Sequence, residues 1–129
     1  MKGRPRILVV DDEPAILSLL RRILQPEGYD VVAAANGEQA LVLLEGTKPD
    51  LVLLDIMMPG LDGFQILDRI RQHCDVPVIV LTAKHEVTTE HEALRLGADD
   101  YMRKPFSSRE LLARIRAKLG SAAHGMTSP

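Results

Sequence analysis

Ile7-Leu8-Val9-Val10-Asp11-Asp12 is an unbroken apolar run that ends in two acids, and the chain uses the same design three more times. Leu51-Val52-Leu53-Leu54 runs into Asp55, Val78-Ile79-Val80-Leu81 into Thr82, and the shorter Tyr101-Met102 into Arg103, Lys104 and Pro105. Continuous Val/Ile/Leu stretches of this length, separated by helix-period segments, predict parallel strands covered on both faces. In an open α/β sheet such strands point one way. Their carboxyl ends share one rim, and ligand crevices form there. Three carboxylates, a hydroxyl and an ammonium, far apart in sequence, are thereby delivered to one place, so an active site at that rim is the leading expectation.

Working outward, strand and helix patterns alternate five times, which implies βαβ units. After Asp12, Ile16, Leu19, Leu20, Ile23 and Leu24 form one helical stripe, with Pro14 in the first turn and Gly28 near the end. Val31–Ala34 is a weak, Ala-rich strand expected near an edge. Asn36 with Gln39 three residues on marks the start of a second helix, and Gly46 its close. Asp62 and Gln65 open a third, where Leu67, Ile70 and Cys74 share a face; Ser107 and Glu110 open a fifth, carrying Leu111, Leu112, Ile115 and Leu119. The fourth helical segment, between Lys84 and Leu96, has little beyond Val87 and Leu94 to bury around its polar Thr88-Thr89-Glu90-His91-Glu92 run. Its docking is expected to be among the weakest in the domain, as a moving part or a solvated surface helix.

The chain has 129 residues, enough for one domain with one core; the expected bounds are 5–119, with 120–129 a flexible tail or the start of a linker. Lys and Arg number 16 against 18 Asp and Glu, so no basic excess argues for nucleic acid. The single cysteine, Cys74, excludes an internal disulfide. No apolar run approaches a membrane span, and no signal-peptide apolar region precedes the first strand. A cytoplasmic location with no membrane association is the expectation.

Carboxylates brought close repel, so a cation must join them or some must hold a proton. Asp11, Asp12 and Asp55 offer the hard oxygens that magnesium takes, and a carboxylate can attack phosphorus to give an aspartyl phosphate. Lys104 can neutralise a phosphoryl oxygen, and the Thr82 hydroxyl can hydrogen-bond another. Each residue also has a plainer role: Asp12 as a helix N-cap, Thr82 and Lys104 as structural or solvated groups. Asp55 precedes a turn, Ile56-Met57-Met58-Pro59-Gly60, so capping does not account for it. His73, His85, His91 and His124 lack metal-ligand spacing, there is no Gly-rich phosphate loop, and four aromatics are too few for a nucleic-acid stacking surface.

Over residues 5–119 the chain resembles the receiver domain of two-component response regulators. The resemblance rests on Ile7-Leu8-Val9-Val10-Asp11-Asp12-Glu13, Leu53-Leu54-Asp55-Ile56-Met57-Met58-Pro59-Gly60, Leu81-Thr82-Ala83, Gly97-Ala98-Asp99-Asp100-Tyr101 and Lys104-Pro105-Phe106. It implies a flavodoxin-like (βα)5 fold, a doubly wound parallel five-stranded sheet of order 2-1-3-4-5. It makes Asp55 the phosphoacceptor, with Mg2+ (or Mn2+) held by Asp12, Asp55 and the Met57 backbone carbonyl, and Asp11 acting mostly through water. Lys104 would contact the phosphoryl group, Thr82 would be the switch hydroxyl, and Tyr101 the aromatic that turns inward with it. The Lys104–Pro105 bond would be cis. The donor would be a sensor histidine kinase or a small phosphodonor.

The segment from Asp99 to Arg116 looks most like the winged-helix transcription-factor subfamily, whose members dimerise through the helix 4–strand 5–helix 5 face by cross-subunit salt bridges. Asp100, Glu110 and Arg114 fit that pattern. Glu90 stands where a basic residue is usual, His91 replaces an apolar one, and Ser121 replaces a final basic residue, so a weak homodimer or a different partner is expected. Met57 and Lys84 are not groups suited to orienting a water, which implies slow self-dephosphorylation. A phosphatase with an aspartate nucleophile would carry a second acid two residues on, where this chain has Met57. The other rival is a degenerate receiver that acts unphosphorylated through protein contacts.

Overall fold

The computed structural model describes residues 3–57, 63–83 and 87–127, with the backbone alone for 87–88 and 121–127. Met58-Pro59-Gly60, Asp62, Lys84 and His85, and the side chains of Val87, Thr88, Ser121 and His124, lie outside the described residues.

Each apolar run forms a strand at the place expected: β1 (Arg6–Val10), β2 (Asp30–Ala34), β3 (Leu51–Asp55), β4 (Val78–Thr82) and β5 (Asp100–Arg103). They build one parallel sheet of order β2-β1-β3-β4-β5, with the Ala-rich β2 at an edge. Between and after them come α1 (Pro14–Leu24), α2 (Gly37–Thr47), α3 (Gly63–His73), α4 (Val87–Arg95) and α5 (Ser108–Thr127). Strand side chains alternate between two cores. Ile7, Val9, Leu51, Leu53, Ile79 and Leu81 pack with Leu20 and Leu24 of α1 and Leu111 and Ile115 of α5. Leu8, Val10, Val52, Leu54, Val78 and Val80 pack with Ala40 and Leu44 of α2, Ile66, Leu67 and Ile70 of α3 and Ala93 of α4. Both faces are covered, which is why the strands carry no polar alternation. No helix among the described residues is long and apolar enough to cross a membrane.

Local signals hold with some corrections. The Asn36 side chain accepts from the Gln39 amide at 2.9 Å, and the Gln39 side chain reaches back to the Ala35 amide at 2.8 Å. Ser107 Oγ accepts from the Glu110 amide at 2.9 Å, but the Glu110 carboxylate turns to Arg114 and leaves the second half of that capping box unmade. Gly46 does not close α2. That helix runs to Thr47 and ends on Lys48, a non-glycine residue in the left-handed region at φ 48°. Leu19 is not in the buried stripe of α1 but 37% exposed; Leu17 packs on the core instead. Among the described side chains of α4, Thr89 and Ala93 are buried while Leu94 is 43% exposed. The backbone of α5 is helical to Thr127.

Candidate functional site

Backbone hydrogen bonds carry the ladders past the strand ends and fix the site. The Asp11 amide donates to Ala34 O at 3.1 Å, and the Lys104 amide donates to Thr82 O at 2.9 Å. Register places Asp55 beside Leu81 and Thr82 beside Arg103. Asp11, Asp55, Thr82 and Lys104 therefore share one rim, as the parallel strands require.

The acids converge. Carboxylate oxygens of Asp11, Asp12 and Asp55 all lie within 4.8 Å of one another. Lys104 Nζ reaches between two of them, 2.6 Å from Asp11 Oδ2 and 3.2 Å from Asp55 Oδ2, with Glu13 at 4.0 Å. Asp11 is 2% exposed and Asp55 5%, so these charges interact with little water between them. Asp11 Oδ1 accepts from the Glu13 amide at 3.0 Å, and Asp55 Oδ1 from the Met57 amide at 2.9 Å, which fixes both carboxylate planes. Burial pushes the Asp55 carboxyl above its ordinary range and Asp11 adds to this, against the lowering effects of the Met57 amide and Lys104. Burial pulls the Lys104 ammonium the other way, but hydrogen bonds and charge from Asp11 and Asp55 outweigh it and leave Lys104 raised.

Asp12 does not cap α1: the N-cap is Glu13, and no side chain caps that helix end. Its carboxylate is half-buried beside the other two. Three carboxylates face one nearby lysine, and the donors are hard oxygens. Opposite ligands of a magnesium octahedron lie about 4.2 Å apart, so this oxygen cluster is near the span such an ion needs. The residues fit a magnesium-type cation. Met57 is placed at the site by its amide, with its side chain 50% exposed. Thr82 is fully buried at the end of β4. Tyr101 is half-buried on β5, next to Val80 in register, and packs against the α2–α3–α4 core. The Lys104–Pro105 peptide is cis.

Arg114 pairs within its own chain, with Asp100 Oδ1 at 2.5 Å and Glu110 Oε2 at 2.9 Å. Sequence reading missed Arg71, whose guanidinium donates to Gly97 O at 2.8 Å, Val76 O at 2.6 Å and Asp99 Oδ2 at 2.7 Å. It ties the end of α3 to the segment leading into β5. No local pattern marks it, because its partners come from two segments, one just after α3 and one before β5.

A sequence profile described as the response regulator receiver domain matches residues 7–116. The chain is 49% identical over 116 residues to a probable transcriptional regulator ycf27 of Porphyridium aerugineum, covering 90% of this chain and 48% of that protein. It is 50% identical over 115 residues to the alkaline phosphatase synthesis transcriptional regulatory protein PhoP of Bacillus subtilis (strain 168), covering 88% of this chain and 48% of that one. The chain thus spans about half the length of these curated relatives. Among solved structures, a CheY-like response regulator receiver domain protein from Methanospirillum hungatei JF-1 superposes with a TM-score of 0.88 at 34% identity, covering 92% of this chain and 96% of that one. The BeF3-activated N-terminal receiver domain of Klebsiella pneumoniae RstA superposes with a TM-score of 0.85 at 36% identity, covering 88% and 97%.

Proposed function

Because this chain belongs to the response regulator receiver domain family, we propose that it is a phosphorylation-controlled switch whose acceptor is Asp55. The observation that carries this reading is the reach of Lys104 to Asp11 and Asp55 across the rim where the three carboxylates converge. Asp12, Asp55 and the Met57 carbonyl would hold Mg2+, or Mn2+, with Asp11 contributing through water. Bound there, the ion would offset the charge of the acids and of an incoming phosphoryl group, a task one lysine cannot complete against three carboxylates.

The chemistry asks little covalent work of the protein. An Asp55 oxygen attacks phosphorus in line, the bond from phosphorus to the donor breaks, and its electron pair leaves with the donor. The donor is a phosphohistidine of a sensor histidine kinase, or a small phosphodonor. The Met57 amide on Oδ1 restricts rotation of the Asp55 carboxylate, which favours attack by the other oxygen. Lys104 then pairs with a phosphoryl oxygen. Thr82 and Tyr101 act as the switch pair. The new charge biases an existing equilibrium of the α4–β5–α5 face, and α4, whose buried residues among those described are the small Thr89 and Ala93, is lightly anchored against that bias. The chain promotes its own phosphorylation and slow dephosphorylation rather than turning over a substrate.

The output is control of transcription from the cytoplasm, in keeping with relatives named as transcriptional regulators and twice as long. This domain would not itself contact nucleic acid. Its homodimer through α4–β5–α5 is weak, because Arg114 is engaged within the chain and exposed Glu90 adds an acid to that face. A tight, phosphorylation-dependent dimer by light scattering, lost on Arg114→Glu, would contradict this. With Met57 beside Asp55, the phosphoryl group should persist for minutes to hours, and decay within seconds would contradict that.

Intact mass after incubation with magnesium and acetyl phosphate tests the central claim. One phosphoryl group gained by the native chain, absent in Asp55→Asn and abolished by a chelator, is the expected result. No gain by a folded chain that also ignores beryllofluoride would favour a phosphorylation-independent binding module.

A further inference from the structure

The buried residues of α3 are Gly63, Ile66, Leu67 and Ile70, spaced i, i+3, i+4 and i+7. Gly63 thus occupies the first position of the core-facing stripe, where an apolar side chain is the ordinary choice. Helix propensity also disfavours it, by about 1 kcal/mol relative to alanine. Space explains the choice. A Cβ on Gly63 would stand 2.2 Å from Ile56 Cα, 2.6 Å from Ile56 O and 2.7 Å from Ile56 C. These are backbone atoms of the residue that follows Asp55, and no rotamer change can move them aside.

We infer that Gly63 is a positioning residue for Asp55: by lacking a side chain it lets α3 seat directly on the Ile56 backbone and so sets where the acceptor carboxylate stands. Carbon atoms in ordinary contact stay about 3.5 Å apart, so any side chain at this position forces a shift of roughly 1 Å or more. Two bodies can yield. α3 is held by Ile66, Leu67 and Ile70, all 0% exposed. The Ile56 side chain is buried in that same core, but its backbone lies just past the last register pair of β3, Asp55 with Leu81. The shift therefore falls mainly on Ile56. It is passed to Asp55 on one side and to Met57 on the other, whose amide holds Asp55 Oδ1 at 2.9 Å. A misplacement of this size is enough to slow an in-line reaction about 10- to 100-fold.

The kinetic part of this inference rests on Asp55 being the phosphoacceptor; the positional part does not. Gly63→Ala is compared with Ile115→Ala, a core variant on the opposite face, under three measurements: thermal melting, hydrogen exchange of the Met57 amide, and the rate of mass gain with acetyl phosphate and magnesium. Gly63→Ala should exchange the Met57 amide faster and gain the phosphoryl group about 10- to 100-fold more slowly, while Ile115→Ala loses stability and leaves both unchanged. If Gly63→Ala does not fold, Ile66→Ala loosens the same seat from one turn further along α3 and should move both readouts in the same direction. If either α3 variant lowers only the melting temperature, as Ile115→Ala does, α3 yields instead of Ile56 and the inference is overturned. Should the native chain gain no phosphoryl group, the acceptor assignment falls, while Met57 exchange still decides whether Gly63 positions Asp55.

Discussion

Asp55→Asn should stabilise the metal-free chain. Asp55 has two acids within 4.8 Å, and at an effective dielectric of about 20 each repels it by roughly 3.5 kcal/mol. Lys104 at 3.2 Å returns roughly 5 kcal/mol of attraction, leaving a net repulsion of roughly 2 kcal/mol. Solvent around half-buried Asp12 trims this to about 1–2 kcal/mol. Burial raises the Asp55 pKa as well, with Asp11 adding to it and the Met57 amide and Lys104 opposing: the folded chain holds that proton more tightly than the unfolded one, so ionisation of Asp55 costs stability as pH rises. The asparagine variant, which has no such proton to lose, does not bear this cost. The asparagine carbonyl can still accept from the Met57 amide. Thermal unfolding in chelator at pH 7 should therefore show the variant melting roughly 4–8 °C higher, the gap narrowing toward acid pH. Added magnesium should raise the native melting point more than the variant's, since only the native chain keeps all three carboxylates. A variant that melts at or below the native chain in chelator would mean that Lys104 fully compensates the acids, and the electrostatic account would be wrong.

Lys104→Met removes the cation and leaves Asp11 and Asp55 buried together. It should destabilise the metal-free chain by about 3–5 kcal/mol in denaturant unfolding, part of it recovered with magnesium. A loss under about 1 kcal/mol would show that water already screens the site. Arg71→Ala should cost about 2–3 kcal/mol and speed amide exchange over Gly97–Asp99; Arg71→Lys should not restore protection, because one ammonium cannot replace the guanidinium fork. Asn36→Ala and Ser107→Ala should each cost about 1 kcal/mol, and their double variant the sum, since the two caps serve separate helices.

Strand positions, their parallel direction and the edge placement of β2 were legible in the sequence, because apolar runs and turn residues are local signals. So were the acids and the lysine of the rim: once strands are parallel, their carboxyl ends must meet. Local patterns were less reliable at the margins. The stripe of α1 included Leu19, which is solvent-facing, because a run of Leu and Ile is wider than the face a helix can bury. Gly46 looked like the stop of α2, yet the chain ends the helix on Lys48, where the approach to β3 sets the turn.

Pairing was decided by tertiary structure alone. Lys104 and Asp11 are 93 residues apart, and only the strand order brings their atoms to 2.6 Å. Arg114 reaches Glu110 as a local i,i+4 pair, but it reaches Asp100 only because β5 and α5 pack together, which no local spacing encodes. Gly63 carries the same lesson: its absent side chain has meaning only once the Ile56 backbone stands where a Cβ would be. Periodicity specifies which face of an element is buried. What that face meets, and how closely, depends on segments distant in sequence, and is fixed only when the whole sheet has assembled.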